Sequence, residues 1–216
     1  MKSDEYIPAL SYDALTPFYD TVVRWTTREK LFKTALVEQA RIEAHHRVLD
    51  LACGTGTLTI LLKRNAPQSE IVGIDGDPKI LKLAREKARA GNFDIRFDEG
   101  MSFDLPYADE TFDRVVSSLF FHHLTRKNKL KTLLQIRRVL KSKGEFYVAD
   151  WGLPANFPMK LASHFIRLLD GAETTADNFK GHLPALIEEA GFERVKEMIY
   201  YNTMFGTIRL HHSVKP

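Results

Sequence analysis

The sequence predicts an α/β fold, doubly wound, with a mainly parallel sheet and helices on both faces. Three observations predict it. Short apolar runs alternate with longer stretches of helical periodicity over most of the chain, the pattern of strands joined by crossover helices. The first apolar run ends in a turn with two glycines, Gly54-Thr55-Gly56. The last two apolar runs are separated only by Asn202, Thr203 and Met204, too few residues for a crossover, so an antiparallel hairpin is expected there.

The elements follow in order. Residues 11–44 read as mainly helical, with Leu31, Ala35, Leu36, Gln39 and Ala40 sharing a face. Residues 47–51 form a short buried strand and 55–64 a helix. A second strand over 70–75 leads to a helix over 77–90, with Asp77 as N-cap, Pro78 at its first position and Gly91 as its stop. Strands are expected at 93–97, 112–117 and 144–150, with a long helix over 126–140. An amphipathic insertion covers 157–170, a helix runs over 183–190, and strands near 193–201 and 205–214 complete the sheet.

Composition bounds the class. The 216 residues suit one domain with a sizeable core, and 44% hydrophobic with 27% charged residues describes an ordinary globular chain. The formal net charge of +3 implies no nucleic-acid partner by itself. The basic residues do cluster: Arg126, Lys127, Lys129, Lys131, Arg137, Arg138, Lys141 and Lys143 fall in a stretch with no acid. Such a run reads either as a solvated helix face or as a surface for anionic lipid or RNA. The single cysteine, Cys53, excludes an intramolecular disulfide. Residues 1–5 carry acid where a signal peptide would be apolar, and no run reaches membrane-spanning length, so a cytoplasmic location is expected.

In an open parallel sheet, ligands bind at the carboxyl ends of the strands. The turn there lacks the third glycine of a dinucleotide fingerprint, that position being Thr59, and lacks the Gly-Lys-Ser/Thr of a phosphate loop. Asp50 precedes the glycines. A carboxylate there would repel a pyrophosphate and suits a ligand with a cationic amine and no phosphate. Asp75 closes the second strand, where an acid accepts hydrogen bonds from ribose hydroxyls. Two bare carboxylates so placed are expected to repel unless a ligand with donors lies between them.

These residues carry a family resemblance. Val-Leu-Asp-Leu-Ala-Cys-Gly-Thr-Gly over 48–56 resembles motif I of the class I S-adenosylmethionine-dependent methyltransferases, and Ile-Val-Gly-Ile-Asp-Gly-Asp-Pro over 71–78 resembles motif II. Asp-Leu-Pro-Tyr at 104–107 with Phe-Asp-Arg-Val-Val-Ser-Ser at 112–118 is similar to the family's loop and fourth strand, and Arg-Arg-Val-Leu-Lys-Ser-Lys-Gly at 137–144 to its "RVLKPGG" turn. The resemblance is nearest to quinone-biosynthesis C-methyltransferases and phospholipid N-methyltransferases. It implies a Rossmann-like seven-stranded sheet, order 3-2-1-4-5-7-6, with the last strand antiparallel.

It also implies a cofactor, S-adenosylmethionine, released as S-adenosylhomocysteine. By resemblance, Asp50, Ala52, Cys53, Gly54 and Gly56 border its methionine part, Asp75 and Gly76 its ribose, Met101 and Ser102 its adenine, and Ser118 and Leu119 its methyl end. The family often has an acid at the position of Met101. Tyr19 resembles part of a "YD" element that closes over the cofactor in relatives, Tyr12 being a second candidate. Residues 1–44 are read as a helical lid and 152–180 as an insertion covering the acceptor pocket, within one domain over 1–216.

Methyl transfer mainly needs alignment and exclusion of water, with a base only where the acceptor must lose a proton. His122 and His123 after the fourth strand, and Asp150 at the end of the fifth, are the catalytic candidates, each with a purely structural alternative. Trp151 is a candidate aromatic wall. Cys53 has no evident partner as a nucleophile. The pairs His45-His46 and His211-His212 lack the spacing to a third ligand, so no metal is expected. The expected partner is a small-molecule or lipid-like acceptor, with no nucleic acid and at most peripheral membrane contact. The alternatives are an RNA or protein methyltransferase using the basic helix over 126–143, or a non-catalytic cofactor-binding relative.

Overall fold

The computed structural model describes residues 28–169 and 172–216. They build a seven-stranded sheet in the order β3-β2-β1-β4-β5-β7-β6. The strands are β1 Arg47–Leu51, β2 Glu70–Asp75, β3 Arg96–Glu99, β4 Phe112–Ser118, β5 Leu140–Trp151, β6 Glu193–Asn202 and β7 Thr207–Val214. The helices are α1 Glu29–Gln39, α2 Thr57–Asn65, α3 Pro78–Ala90, α4 Arg126–Val139, α5 Phe157–Leu169, α6 Ala172–Phe179 and α7 Leu183–Glu189. β1 runs parallel to both neighbours, with Leu49 opposite Val72 and Val115. β7 is antiparallel to β5 and β6, as the short final connection requires.

Alternation along the strands sends side chains to two layers. Leu49, Leu51, Val115, Phe146 and Val148 pack with Leu133 and Ile136 of α4 and Leu186 of α7. Val48, Ile71, Val116 and Ala149 pack on the other face with Phe32 and Leu36 of α1 and Leu58 and Leu62 of α2. Asp50 shares the parity of Val48, so its side chain enters the layer of α1 and α2. That placement decides its chemistry.

Helix boundaries have local causes. Asp77 caps α3 by accepting the Lys79 amide at 2.8 Å, with Pro78 in the first turn. Thr125 caps α4 by accepting the Asn128 amide at 3.3 Å. In α1 the buried face is Phe32, Leu36, Val37 and Ala40, and Leu31 is exposed, a rotation of the expected face. The rest of the helical reading before residue 28 lies outside the described residues.

The third strand sits later than the expected 93–97. Its ladder pairs Val72 with Arg96 and Gly73 with Phe97. A Cβ on Gly73 would lie 2.8 Å from the Phe97 ring and 3.0 Å from the Cys53 sulfur. The ring therefore occupies the space above Gly73 and fixes the register, while Phe93 and Ile95 pack against the same cluster ahead of the ladder. β5 starts earlier than expected because Leu140 pairs with Phe112 directly after α4, before an irregularity between Phe112 and Arg114. Within the insertion, α6 is a helix the sequence reading did not separate.

Candidate active site

The turn after β1 uses its two glycines differently. Gly54 has φ 54° and Gly56 φ 76°, conformations that favour glycine. A Cβ on Gly56 would lie 3.0 Å from the Ala84 Cβ and 3.2 Å from the Phe97 ring, whereas a Cβ on Gly54 would meet nothing within 4 Å. Gly56 answers to packing against α3 and β3. Gly54 presents bare backbone to open space. Ala52, also left-handed at φ 55°, is held in a backbone region that costs an L-residue about 1–2 kcal/mol.

Asp75 ties this turn to the one after β2. One of its oxygens accepts the Gly54 amide at 2.9 Å and the other the Asp77 amide at 3.0 Å. Burial raises its carboxyl above the ordinary value, and these two amides oppose the rise. Gly76 lies between them in the same turn. Asp50 is 1% exposed and accepts the Thr59 hydroxyl of α2 at 2.6 Å. Burial pushes its carboxyl up to about 7, against the Thr59 hydrogen bond and the charge of Lys33. Neither carboxylate is bare, then. The expected repulsion is relieved by hydrogen bonds from the chain itself, in Asp50's case together with a raised carboxyl. Burial also lifts the Cys53 thiol well above its usual value, which disarms it as a nucleophile.

Met101 and Ser102 follow β3, beside the backbone bond from the Gly100 amide to the Asp75 carbonyl at 3.0 Å. Met101 is half-buried. The Ser102 hydroxyl is buried and shares a hydrogen bond of 2.9 Å with Thr132 of α4. At the end of β4, Ser118 is half-buried, and Leu119 turns away at φ 53° while its amide donates to the Ala149 carbonyl at 2.8 Å.

Asp150 organises the other half. It is 1% exposed and gathers four donors: the amides of Phe120 at 3.1 Å, Phe121 at 2.6 Å and Trp151 at 2.7 Å, with the His122 Nδ1 at 2.6 Å. Burial alone would raise its carboxyl, but the His122 charge and hydrogen bond, joined by the Trp151 amide, hold it below the ordinary value. His122 is buried in the short 3-10 turn Phe121–His123. The His123 ring lies 4.0 Å from that of His122, and burial, then the neighbouring imidazole, pull His123 down to about 3. His123 is therefore neutral near pH 7.

α6 packs over this turn. Asn178 donates to the Trp151 carbonyl at 3.1 Å, and Phe179 stacks on Trp151 with ring centroids 6.4 Å apart. Lys129 of α4 is fully buried. Its ammonium donates to the Thr174 carbonyl at 2.7 Å and stands 3.8 Å from Asp177, and burial pulls it down to about 8. The sequence reading placed Lys129 only within the basic run. The available signal was its helical spacing to Leu133 and Ile136, both core residues. Thr59, Asn178 and Asp177 carried no motif.

The rest of the run is largely engaged. Arg126 pairs with Glu189 at 3.1 Å, Arg138 with Asp109 at 2.8 Å and Lys141 with Asp113 at 2.8 Å. The side chains of Glu43, His45 and His46 converge within 4.8 Å. The His46 Nδ1 already accepts the Glu43 amide at 3.1 Å, which places the imidazole proton on Nε2, 4.0 Å from the Glu43 carboxylate. That tautomer presents a donor toward the cluster and lacks the lone pair a metal needs there. Tyr12 and Tyr19, and most of the expected lid, lie outside the described residues.

Residues 42–201 match the family described as "Methyltransferase domain". The chain is 36% identical over 147 residues to the demethylmenaquinone methyltransferase of Deinococcus radiodurans, covering 67% of this chain and 60% of that protein. It is 30% identical over 209 residues to the ubiquinone/menaquinone biosynthesis C-methyltransferase UbiE of Escherichia fergusonii, covering 86% of this chain and 80% of that one. Among solved structures it is similar to phospholethanolamine N-methyltransferase 2 of Haemonchus contortus, in complex with phosphomonomethylethanolamine and S-adenosylhomocysteine. That match has a TM-score of 0.69 and 12% identity, covering 85% of this chain and 52% of the other.

Proposed function

Because the chain belongs to the methyltransferase-domain family and is an S-adenosylmethionine-dependent methyltransferase, we propose that it methylates a small quinone-type acceptor at carbon, through positioning and exclusion of water. The observation that carries this reading is Gly54: bare left-handed backbone open to space, with its amide on the Asp75 carboxylate. Such a turn lets a ligand lie against the backbone where any side chain would intrude. Asp75 uses one lone pair of each oxygen on the Gly54 and Asp77 amides, leaving others to accept vicinal ribose hydroxyls. The residues present thus fit a phosphate-free nucleoside.

In this reading Ala52, Cys53, Gly54 and Gly56 line the methionine part and Asp50 stands behind them. Asp75 and Gly76 take the ribose. Met101 packs on the adenine, and Ser102, its hydroxyl committed to Thr132, acts through its backbone. Ser118 and Leu119 border the methyl end. The bound cofactor supplies an activated methyl group and needs no further activation by the protein. Of the expected cover, the described residues 152–169 and 172–180 are read as lying over the acceptor.

Asp150 and His122 are positioning residues. The carboxylate ties both strand ends to the 3-10 turn and orients the His122 ring by accepting at its Nδ1. His123, held near 3, is too weak a base for proton transfer near neutral pH. The acceptor class rests on the relatives' names, and the chain spans 60% of the length of the Deinococcus radiodurans protein.

Calorimetry with S-adenosylmethionine on wild type and Asp75→Ala tests the cofactor half. Loss of two ribose hydrogen bonds to a charged group predicts about a hundred-fold weaker binding. Equal affinity in the two proteins overturns the site. Labelled methyl transfer to a demethylated quinol, set against transfer to RNA and protein, tests the acceptor half.

A further inference from the structure

Lys129 continues the stripe of α4 that carries Leu133 and Ile136, and like them it is 0% exposed. A methionine there would fill much the same space with no charge to desolvate. Replacing a buried ion pair by apolar side chains is often neutral or stabilising. Stability therefore gives no reason for an ammonium at this position. What an ammonium adds is direction, as three donors at the end of a long stem. Here it reaches α6, meeting the Thr174 carbonyl at 2.7 Å and the Asp177 carboxylate at 3.8 Å.

α6 depends on such bonds. The residues it turns inward are mostly polar: Thr174, Thr175 and Asn178 are buried together with Phe179. A helix of 8 residues that buries one large apolar side chain has a weak seat. Yet its far end meets the candidate aromatic wall, where Asn178 donates to the Trp151 carbonyl and Phe179 stacks on the Trp151 ring. Between its ends α6 packs over the turn that carries His122 and His123. The placement of Trp151 and of that turn is thus tied to where Lys129 holds α6.

We propose that Lys129 is a positioning residue for methyl transfer, a latch that holds α6 over the 3-10 turn and Trp151 through Thr174 and Asp177. The proposal rests on the reading of α6 as part of the cover over the acceptor. Asp177 is a shared partner, 3.6 Å from Arg126 and 3.3 Å from His182. It therefore keeps partners when Lys129 is removed, and Lys129→Met strands no charge. Around the ammonium stand Asp177 on α6, Asp150 on β5, Arg126 on its own helix and the neutral His123 on the turn, with His122 bonded to Asp150. Burial has lowered Lys129 to about 8, so its charge is present at neutral pH and is lost as pH rises through that value. The neutral amine can still donate to the Thr174 carbonyl but no longer attracts Asp177. The latch is closed near pH 7 and loosens in base.

Hydrogen exchange and methyl-transfer kinetics on the full chain test it, with Lys129→Met and the partly exposed Asp177→Asn as variants. At pH 7 the α6 amides should exchange about ten-fold faster in Lys129→Met than in wild type, with β1 and β4 unchanged. Asp177→Asn should move them about three-fold, since the Thr174 bond remains. Corrected for intrinsic rates, the difference between wild type and Lys129→Met should shrink to about two-fold near pH 9. In labelled transfer, kcat/KM for the demethylated quinol should fall about ten-fold in Lys129→Met while KM for S-adenosylmethionine stays put. Equal α6 exchange in wild type and both variants overturns the proposal, as does unchanged transfer in a variant whose α6 has loosened. Loss of protection throughout Lys129→Met, with α6 unmoved in Asp177→Asn, also overturns it and makes Lys129 an ordinary core residue. The exchange measurement needs no acceptor. A wild type that leaves the quinol unmethylated, while Lys129→Met loosens α6 alone, refutes the quinol acceptor and upholds the latch.

Discussion

Asp50 and Asp150 are both 1% exposed on neighbouring parts of one sheet, yet their carboxyls move in opposite directions. Among the described residues, Asp50 accepts the neutral Thr59 hydroxyl, and burial drives it up to about 7 against hydrogen bonds from Thr59 and the charge of Lys33. Asp150 has three amides and an imidazole and is held below the ordinary value. Burial disfavours the charged form in both. The number and charge of the donors decide which effect wins. The proposed cofactor half thus holds an acid poised to change charge, and the proposed acceptor half holds a fixed anion.

The largest test of this contrast is Asp150→Ala. Removing one member of a buried hydrogen-bonded pair predicts a loss of about 3–5 kcal/mol in chemical unfolding, with the 3-10 turn released from β5. Because the folded carboxyl titrates below its unfolded value, the stabilisation is complete above about pH 4 and disappears as pH falls through the folded value. The gap between wild type and variant should narrow only in acid. A gap that is constant with pH would show that Asp150 contributes shape and not charge.

Asp50→Asn should show the opposite slope. The folded carboxyl titrates near 7, above its unfolded value, so wild type loses stability as pH rises from about 4 to about 7. The variant should match wild type near pH 4, gain on it steadily to pH 7, and stay ahead by a few kcal/mol above that, at about 1.4 kcal/mol per pKa unit. Urea unfolding of the cofactor-free proteins across this range reads it directly. Parallel curves would mean that the charge of Asp50 is already fully met by Lys33 and Thr59.

The smallest effects separate the two glycines. Alanine at either position pays for a left-handed backbone, about 1–2 kcal/mol. At Gly56 the new methyl also presses on Ala84 and Phe97, so Gly56→Ala should be the less stable protein. Gly54→Ala has open space and should lose cofactor affinity more than stability. Equal losses of both quantities in the two variants would remove the distinction between a packing glycine and a ligand-facing one.

Much of the proposed cofactor half was legible because it is local. Gly54, Gly56, Asp75 and the Asp77 cap act within a turn of their own strands, and the strand and helix periodicities that carry them show in the chain. The third strand was misplaced because its register depends on the Phe97 ring over Gly73, a contact between separate strands. The proposed acceptor half was legible only as candidates. His122 and Asp150 were named without their mutual bond, and Lys129 was read as surface charge although it is fully buried.

By itself, the sequence determined the doubly wound sheet, the closing hairpin and the glycine turn at the head of β1, since these follow from periodicity and backbone freedom within short windows. Only the tertiary structure decided how each charge behaves. His122 stands 28 residues from Asp150 and Lys129 stands 45 residues from Thr174, and the protonation of a buried group is set by the donors and charges folding brings around it.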